Sequence, residues 1–113
     1  MRVISRRKLR EFWERHADAR APLDAWHKRS EKADWRKFAD LKADYATADL
    51  VDRFVVINIG GNKYRLILEI FFESGVILVR DVLTHADYDK GTWKGIPPPE
   101  RRPSRKGPSP KGP

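Results

Sequence analysis

The sequence predicts an α+β fold: two N-terminal helices packed on one face of a small antiparallel β-sheet, followed by a disordered C-terminal tail. Three observations lead there. Residues 5–33 carry apolar side chains at three- and four-residue spacing, and residues 54–83 carry β-branched and aromatic runs broken by glycine-containing turns. From residue 94 the chain turns to Pro, Gly, Ser, Lys and Arg. Helical periodicity thus gives way to strand periodicity, and then to a composition with almost nothing to bury. A chain of 113 residues has room for about one domain. We expect that domain at residues 1–93 and the basic, Pro-rich tail at 94–113.

The first helix is expected over residues 5–17. Ser5 can cap it, because its hydroxyl accepts from a free N–H of the first turn. Leu9, Phe12, Trp13 and His16 share one face, which reads as core-facing. Asp18 to Ala21 break the pattern, and Pro22 suits the first position of a second helix. Its inner stripe is Leu23, Trp26, Ser30 and Ala33. Its outer face, His27, Lys28, Arg29 and Lys32, is either a solvated basic face or the border of a phosphate-binding groove or inhibitor interface. Asp34-Trp35 opens another short element, and Phe38–Tyr45 has the length of one or two helical turns.

Phe54–Ile59 reads as a strand and Gly60-Gly61-Asn62 as a tight turn. The next strand, Lys63–Phe72, places Tyr64, Leu66, Leu68, Ile70 and Phe72 on one face. Lys63, Arg65, Ile67, Glu69 and Phe71 fall on the other. Glu73-Ser74-Gly75 connects it to a third strand, Val76–Leu83. Such short turns imply an antiparallel meander, with the face away from the helices partly open.

The net charge of +8 is unevenly spread. Residues 94–113 hold six Lys/Arg and one Glu, whereas residues 1–93 hold 18 Lys/Arg and 15 Asp/Glu. The expected domain is therefore only mildly basic. A positive field favours polyanions, chiefly nucleic acid. The tail is either inert or a non-specific RNA-binding arm. Cysteine is absent, which excludes disulfides, thiolate metal sites and a cysteine nucleophile, and fits a reducing compartment. The basic start Met1–Lys8 lacks an apolar stretch behind it, so no signal peptide is expected. The longest apolar runs are far below the roughly 20 residues of a membrane helix. A soluble, cytoplasmic protein without a membrane partner is the expectation.

The chemistry-bearing side chains gather in two segments, Asn62-Lys63-Tyr64-Arg65 and Thr84-His85-Ala86-Asp87-Tyr88. Strand alternation sets Lys63 and Arg65 side by side on the open face. Arg65 interrupts an apolar strand. It either pairs with Glu69 or Asp81, or clamps a phosphate with its planar fork. Arg80 either pairs with an acidic neighbour or joins Arg65 in a basic cleft. His85 is the side chain suited to move protons near neutral pH, and Tyr88 can stack on a base or hold a proton-transfer water. Together these groups fit RNA cleavage, in which cations stabilise the phosphorane and a proton-transferring group serves the 2′- and 5′-oxygens. We therefore take Arg65, His85, Tyr88 and Lys63 as catalytic candidates and Asn62, Lys63, Arg65 and Arg80 as RNA-binding candidates. No cofactor is called for. The three histidines are widely spaced, and no carboxylate cluster has metal-site spacing. A hydrolase elbow and a phosphate-binding Gly-rich loop before a helix are also missing from the pattern.

At these residues the sequence resembles the HigB family of toxin–antitoxin toxins, within the wider RelE-like group. The opening Met-Arg-Val-Ile-Ser-Arg-Arg-Lys-Leu-Arg-Glu-Phe-Trp, then Ala21-Pro22-Leu23 with Trp26, and Lys32-Ala33-Asp34-Trp35 with Ala39-Asp40-Leu41-Lys42 are similar to it. The most specific segments are Asn58-Ile59-Gly60-Gly61-Asn62-Lys63-Tyr64-Arg65-Leu66-Ile67 and Thr84-His85-Ala86-Asp87-Tyr88-Asp89. The resemblance implies a RelE-like fold and a ribosome-dependent mRNA endonuclease. It also implies inhibition by a HigA-type helix-turn-helix antitoxin, with operator DNA bound only through that complex. It assigns Arg65 to the scissile phosphate, His85 and Tyr88 to proton transfer and base stacking, and Lys63 to a further contact. The alternatives are a non-catalytic RNA- or ribosome-binding module, or an antitoxin-binding protein with a degenerate nuclease site. Two features depart from the family pattern: Leu83, where a small residue is expected before Thr-His, and the Pro-rich basic tail.

Overall fold

The computed structural model describes residues 1–99. Among these residues the elements run β1 (Arg2–Ile4), α1 (Arg7–Arg15), α2 (Arg20–Lys32), α3 (Phe38–Asp44), β2 (Asp49–Val51), β3 (Phe54–Ile59), β4 (Tyr64–Phe71), β5 (Val76–Thr84) and α4 (His85–Lys90). Short 3-10 turns occupy Ala17–Ala19 and Thr92–Gly95. The expected α+β architecture is present, with a meander of β3, β4 and β5. The sheet is larger than expected and is mixed. It has five strands in the order β1-β5-β4-β3-β2, with β1 parallel to β5 and the other pairs antiparallel. The two added edge strands have only three residues each, too few to show a period of two in the sequence.

Alternation along the meander divides its side chains between two cores. Leu66, Leu68, Ile57, Val79 and Val82 face the helices, where they meet Leu9, Phe12, Leu23, Trp26 and Leu41. Fully burying each such aliphatic side chain contributes about 1.5–3 kcal/mol. Leu9 and Phe12 of the first expected stripe are buried, and so are Leu23, Trp26 and Ser30 of the second. The other sheet face is not left open. Phe54, Val56 and Ile67 form a second, smaller core closed by Trp93, with Leu83, Tyr88 and Ile96 packed on it.

The helix starts differ from expectation. Ser5 does not cap α1 with its side chain: it lies in the left-handed region at φ 67°, and its carbonyl accepts from the Lys8 N–H. Arg6 takes the cap position, and no side-chain cap bond is made. Pro22 is the third residue of α2 rather than the first, still within the turn whose N–H groups have no helical acceptor. On the outer face of α2, His27, Lys28 and Arg29 pair with Glu31, Asp24 and Asp44. This is the behaviour of a solvated, charge-compensated surface.

Register shows why the β5 pattern misleads. Ile67 is opposite Asp81 while Leu68 is opposite Val79, so Arg80 is an extra residue in a β-bulge. The bulge lets Val79 and Val82, three residues apart, both face the helices. Strict alternation would have grouped Arg80 with Val82.

The expected boundary at residue 94 falls inside the Thr92–Gly95 turn. Trp93 is buried, and the Ile96 and Pro97 carbonyls accept from Arg53 and Arg80. Packing against the domain therefore continues to Pro97. The rest of the expected tail, residues 100–113, lies outside the described residues. No helix among the described residues is long and apolar enough to cross a membrane.

Candidate active site

The β3–β4 hairpin places Arg65. Gly60 and Gly61 both take left-handed φ values, 64° and 70°, a tight reversal that glycine makes without steric cost. Asn62 then lies beside the start of β4. Arg65 Nη1 donates to the Asn62 carbonyl at 3.1 Å and to the Tyr64 carbonyl at 3.3 Å, and Nη2 donates to Asn62 Oδ1 at 3.0 Å. The guanidinium is thus held by neutral oxygens. It is only 8 % exposed and has no carboxylate partner among the described residues. Two of its five N–H donors are left over. A buried cation without a counter-charge is costly unless an anion arrives. Of the alternatives for Arg65, neither ion pair forms. Glu69 is taken by Arg53 at 3.1 Å and Arg80 at 3.5 Å, and Asp81 Oδ1 accepts from the Val82 N–H.

The β5–α4 junction brings the second segment to the same end of the sheet. Tyr64 pairs in register with Thr84, and Arg65 with Leu83. Thr84 caps α4, its hydroxyl accepting from the Asp87 N–H at 3.2 Å. His85 is the first residue of α4, and its Nδ1 lies 3.0 Å from Asp89 Oδ2, one turn on. An ionised carboxylate only accepts, so against it Nδ1 carries the hydrogen and Nε2 is left as the ring nitrogen with a lone pair. Tyr88, one turn after His85, comes over Arg65, with the guanidinium carbon 5.4 Å from the ring centroid. Trp93 stacks on the Tyr88 ring at 5.2 Å and 16°, and its Nε1 donates to the Tyr88 carbonyl at 3.0 Å.

Arg65, Tyr88 and His85 are therefore brought to one end of the meander, and Asn62 joins them as the group that holds Arg65. Lys63 is not beside Arg65. It lies in the turn before β4, and its Nζ pairs with Asp18, which also accepts from the Tyr64 hydroxyl at 2.6 Å. These two bonds hold the Asp18 carboxyl below the usual carboxylate range, with the Lys63 bond the larger cause. Asp18 in turn raises both Lys63 and Tyr64. Arg80 is also elsewhere: the bulge turns it to Glu69 and the Pro97 carbonyl at 2.6 Å. Sequence reading missed Asp89 and Trp93. Asp89 had a signal, the four-residue spacing from His85, which takes effect only once residues 85–90 are read as helix. Leu83, where a small residue was expected, packs on the Trp93 core beside Tyr88. No group of three or more His, Cys, Asp or Glu among the described residues is arranged to hold a metal ion.

The chain is similar to known proteins. Residues 19–91 match the HigB toxin family, described as the RelE-like toxic component of a toxin–antitoxin system. The chain is 32% identical over 92 residues to the mRNA interferase toxin HigB of Escherichia coli strain K12, a match covering 79% of this chain and 88% of that protein. It shows the same identity and coverage to the proteins named mRNA interferase HigB from Escherichia coli O157:H7 and Shigella flexneri.

Proposed function

Because the chain belongs to the HigB family of RelE-like toxins, we propose that it is an endoribonuclease that cuts mRNA and so stops translation. The observation that carries this reading is Arg65, a nearly buried guanidinium with spare donors and no anionic partner among the described residues, set beneath Tyr88 at the end of the sheet where β5 leads into His85. A phosphodiester supplies the missing negative charge. The substrate's 2′-oxygen attacks the adjacent phosphorus, forming one P–O bond and breaking the bond to the 5′-oxygen. The products are a 2′,3′-cyclic phosphate and a 5′-hydroxyl. Arg65 neutralises the extra charge on the phosphorane. The 2′-hydroxyl gives up its proton and the leaving 5′-oxygen takes one up; His85 makes one of these transfers and solvent water the other, while Asp89 fixes the histidine's tautomer and steadies the imidazolium. Tyr88 holds a base or a water against the scissile bond. No step in this scheme calls on a metal ion.

The expected domain is only mildly basic, so tight RNA binding would draw help from the ribosome, whose bound message is the proposed substrate. The site of action is then the cytoplasm. The proposed inhibitor is a HigA-type helix-turn-helix antitoxin, through which operator DNA is reached.

Induced expression with mapping of message ends tests the reading. Wild type is expected to arrest growth and to leave codon-phased cuts. Arg65→Ala and His85→Gln are each expected to lower cleavage by about 10²–10³-fold. Soluble wild-type protein that produces neither arrest nor phased cuts would overturn the nuclease reading. Undiminished toxicity of both variants would overturn the site.

A further inference from the structure

The family match ends at residue 91, yet the chain beyond it takes part in the site. Gly91 has φ 75° and ends α4, and its carbonyl accepts from the Lys94 N–H in the following turn. That turn folds the chain back under Tyr88. Trp93 lies between two rings: it stacks on Tyr88 and meets Phe54 edge-on at 5.4 Å and 69°. Its Nε1–H is spent on the Tyr88 carbonyl. Three and four residues on, the chain is tied to the sheet, with Arg53 donating to the Ile96 carbonyl and Arg80 to the Pro97 carbonyl. The same guanidiniums grip the buried Glu69. Residues 92–97 therefore form a strap anchored on β4 and β5 through Glu69.

We propose that Trp93 is a positioning residue: held by this strap, it fixes the ring plane and backbone of Tyr88 above Arg65 and so sets the geometry of RNA cleavage. The proposal rests on the nuclease reading above. A hydrophobic residue that merely filled the second core would need neither the parallel stack nor the indole bond to the Tyr88 carbonyl. Those contacts restrain the two things that orient Tyr88, its ring plane and its main chain. A reacting geometry displaced by about 1 Å loses up to about 100-fold in rate.

The test is a double-mutant cycle on ribosome-dependent message cleavage, with thermal melts run alongside. Trp93→Leu keeps an apolar side chain but removes the ring. It is expected to lower the cleavage rate at saturating substrate about 10-fold, with half-saturation changed less than about twofold. Trp93→Phe keeps one aromatic ring but loses the indole N–H and part of the stacked area, with an expected loss of about two- to threefold. In a Tyr88→Leu background neither substitution is expected to lower cleavage further, because the residue they act through is gone. If Trp93→Leu does not fold at the assay temperature, the Trp93→Phe cycle alone decides. Losses that persist undiminished beside Tyr88→Leu would show a structural role only and overturn the proposal, as would full activity of Tyr88→Leu itself. An inactive wild type would instead overturn the nuclease reading beneath it.

Discussion

Replacing Glu69 with alanine removes the carboxylate that two guanidiniums share. The Glu69 side chain is 6 % exposed, with Arg53 at 3.1 Å and Arg80 at 3.5 Å. The second distance is long for a hydrogen bond and close for an ion pair. Losing one member of a fully buried pair costs about 3–5 kcal/mol. Here the stranded cations differ. Arg53 is 36 % exposed and can turn to water, whereas Arg80 is 16 % exposed and stays largely covered. The cost is therefore set mainly by Arg80 and comes to about 2–3 kcal/mol. A domain of this size shifts its melting temperature by about 4–8 °C per kcal/mol, so a fall of roughly 10–20 °C is expected. Thermal unfolding followed by circular dichroism measures it, with urea titration checking that the slope is unchanged. Arg53→Ala leaves Glu69 paired with Arg80, and should cost less than about 1 kcal/mol. A Glu69→Ala melting point within about 3 °C of wild type would refute the reasoning. So would an Arg53→Ala loss as large as that of Glu69→Ala.

Burial is the main cause raising the Asp81 carboxyl, against the opposing Val82 N–H, Lys8 and Arg15. A carboxyl whose folded pKa is raised weakens the fold as pH rises through that pKa, so Asp81→Asn should raise the melting temperature at pH 7 and lose its advantage below the carboxylate range. Asp18 has the opposite sign, since its lowered pKa lends stability that is lost as pH falls through the folded value. NMR titration should place Asp18 below Asp81, and the reverse order would refute both assignments. Gly91→Ala meets no atom of the described residues within 4 Å, so its cost is conformational: about 1–2 kcal/mol, read by urea denaturation. Leu83→Gly, which restores the small residue expected before Thr84, should destabilise by about 2 kcal/mol or more, because Leu83 packs on the Trp93 core; a neutral result would count against that packing.

What was legible in the sequence followed from repetition. The stripes Leu9/Phe12 and Leu23/Trp26 and the alternation Tyr64/Leu66/Leu68 recur often enough to declare their period, and each lies on the helix side of the sheet. Arg65 declared itself by interrupting an apolar strand, and His85 with Tyr88 by following one. Alternation failed where the backbone departs from it. Lys63 lies in a turn, so its parity with Arg65 does not give it the same face. Arg80 sits on the bulge, so its parity with Val82 carries no information. Asp18 was not legible as the partner of Lys63 and Tyr64, because 45 and 46 residues separate them in sequence. Trp93 adjoins a Pro-rich, basic segment whose composition conceals one large apolar anchor.

The parallel pairing of β1 with β5 bears on how the fold is made. Arg2–Ile4 joins Val76–Leu78, so a contact between the chain's opening residues and the last strand must close a loop of some seventy residues. Loop-closure entropy delays such contacts relative to the hairpins β3–β4 and β4–β5, whose turns are short. The meander that carries Arg65 and leads into His85 thus assembles from neighbours, and β1 docks after it. A strand added late strengthens the native state more than the folding transition state. Its hydrogen bonds therefore govern how slowly the finished molecule comes apart, more than how quickly it forms. Strengthening the β1–β5 edge, on the far side of β5 from the hairpin that positions Arg65, is therefore expected to lengthen the lifetime of the folded protein.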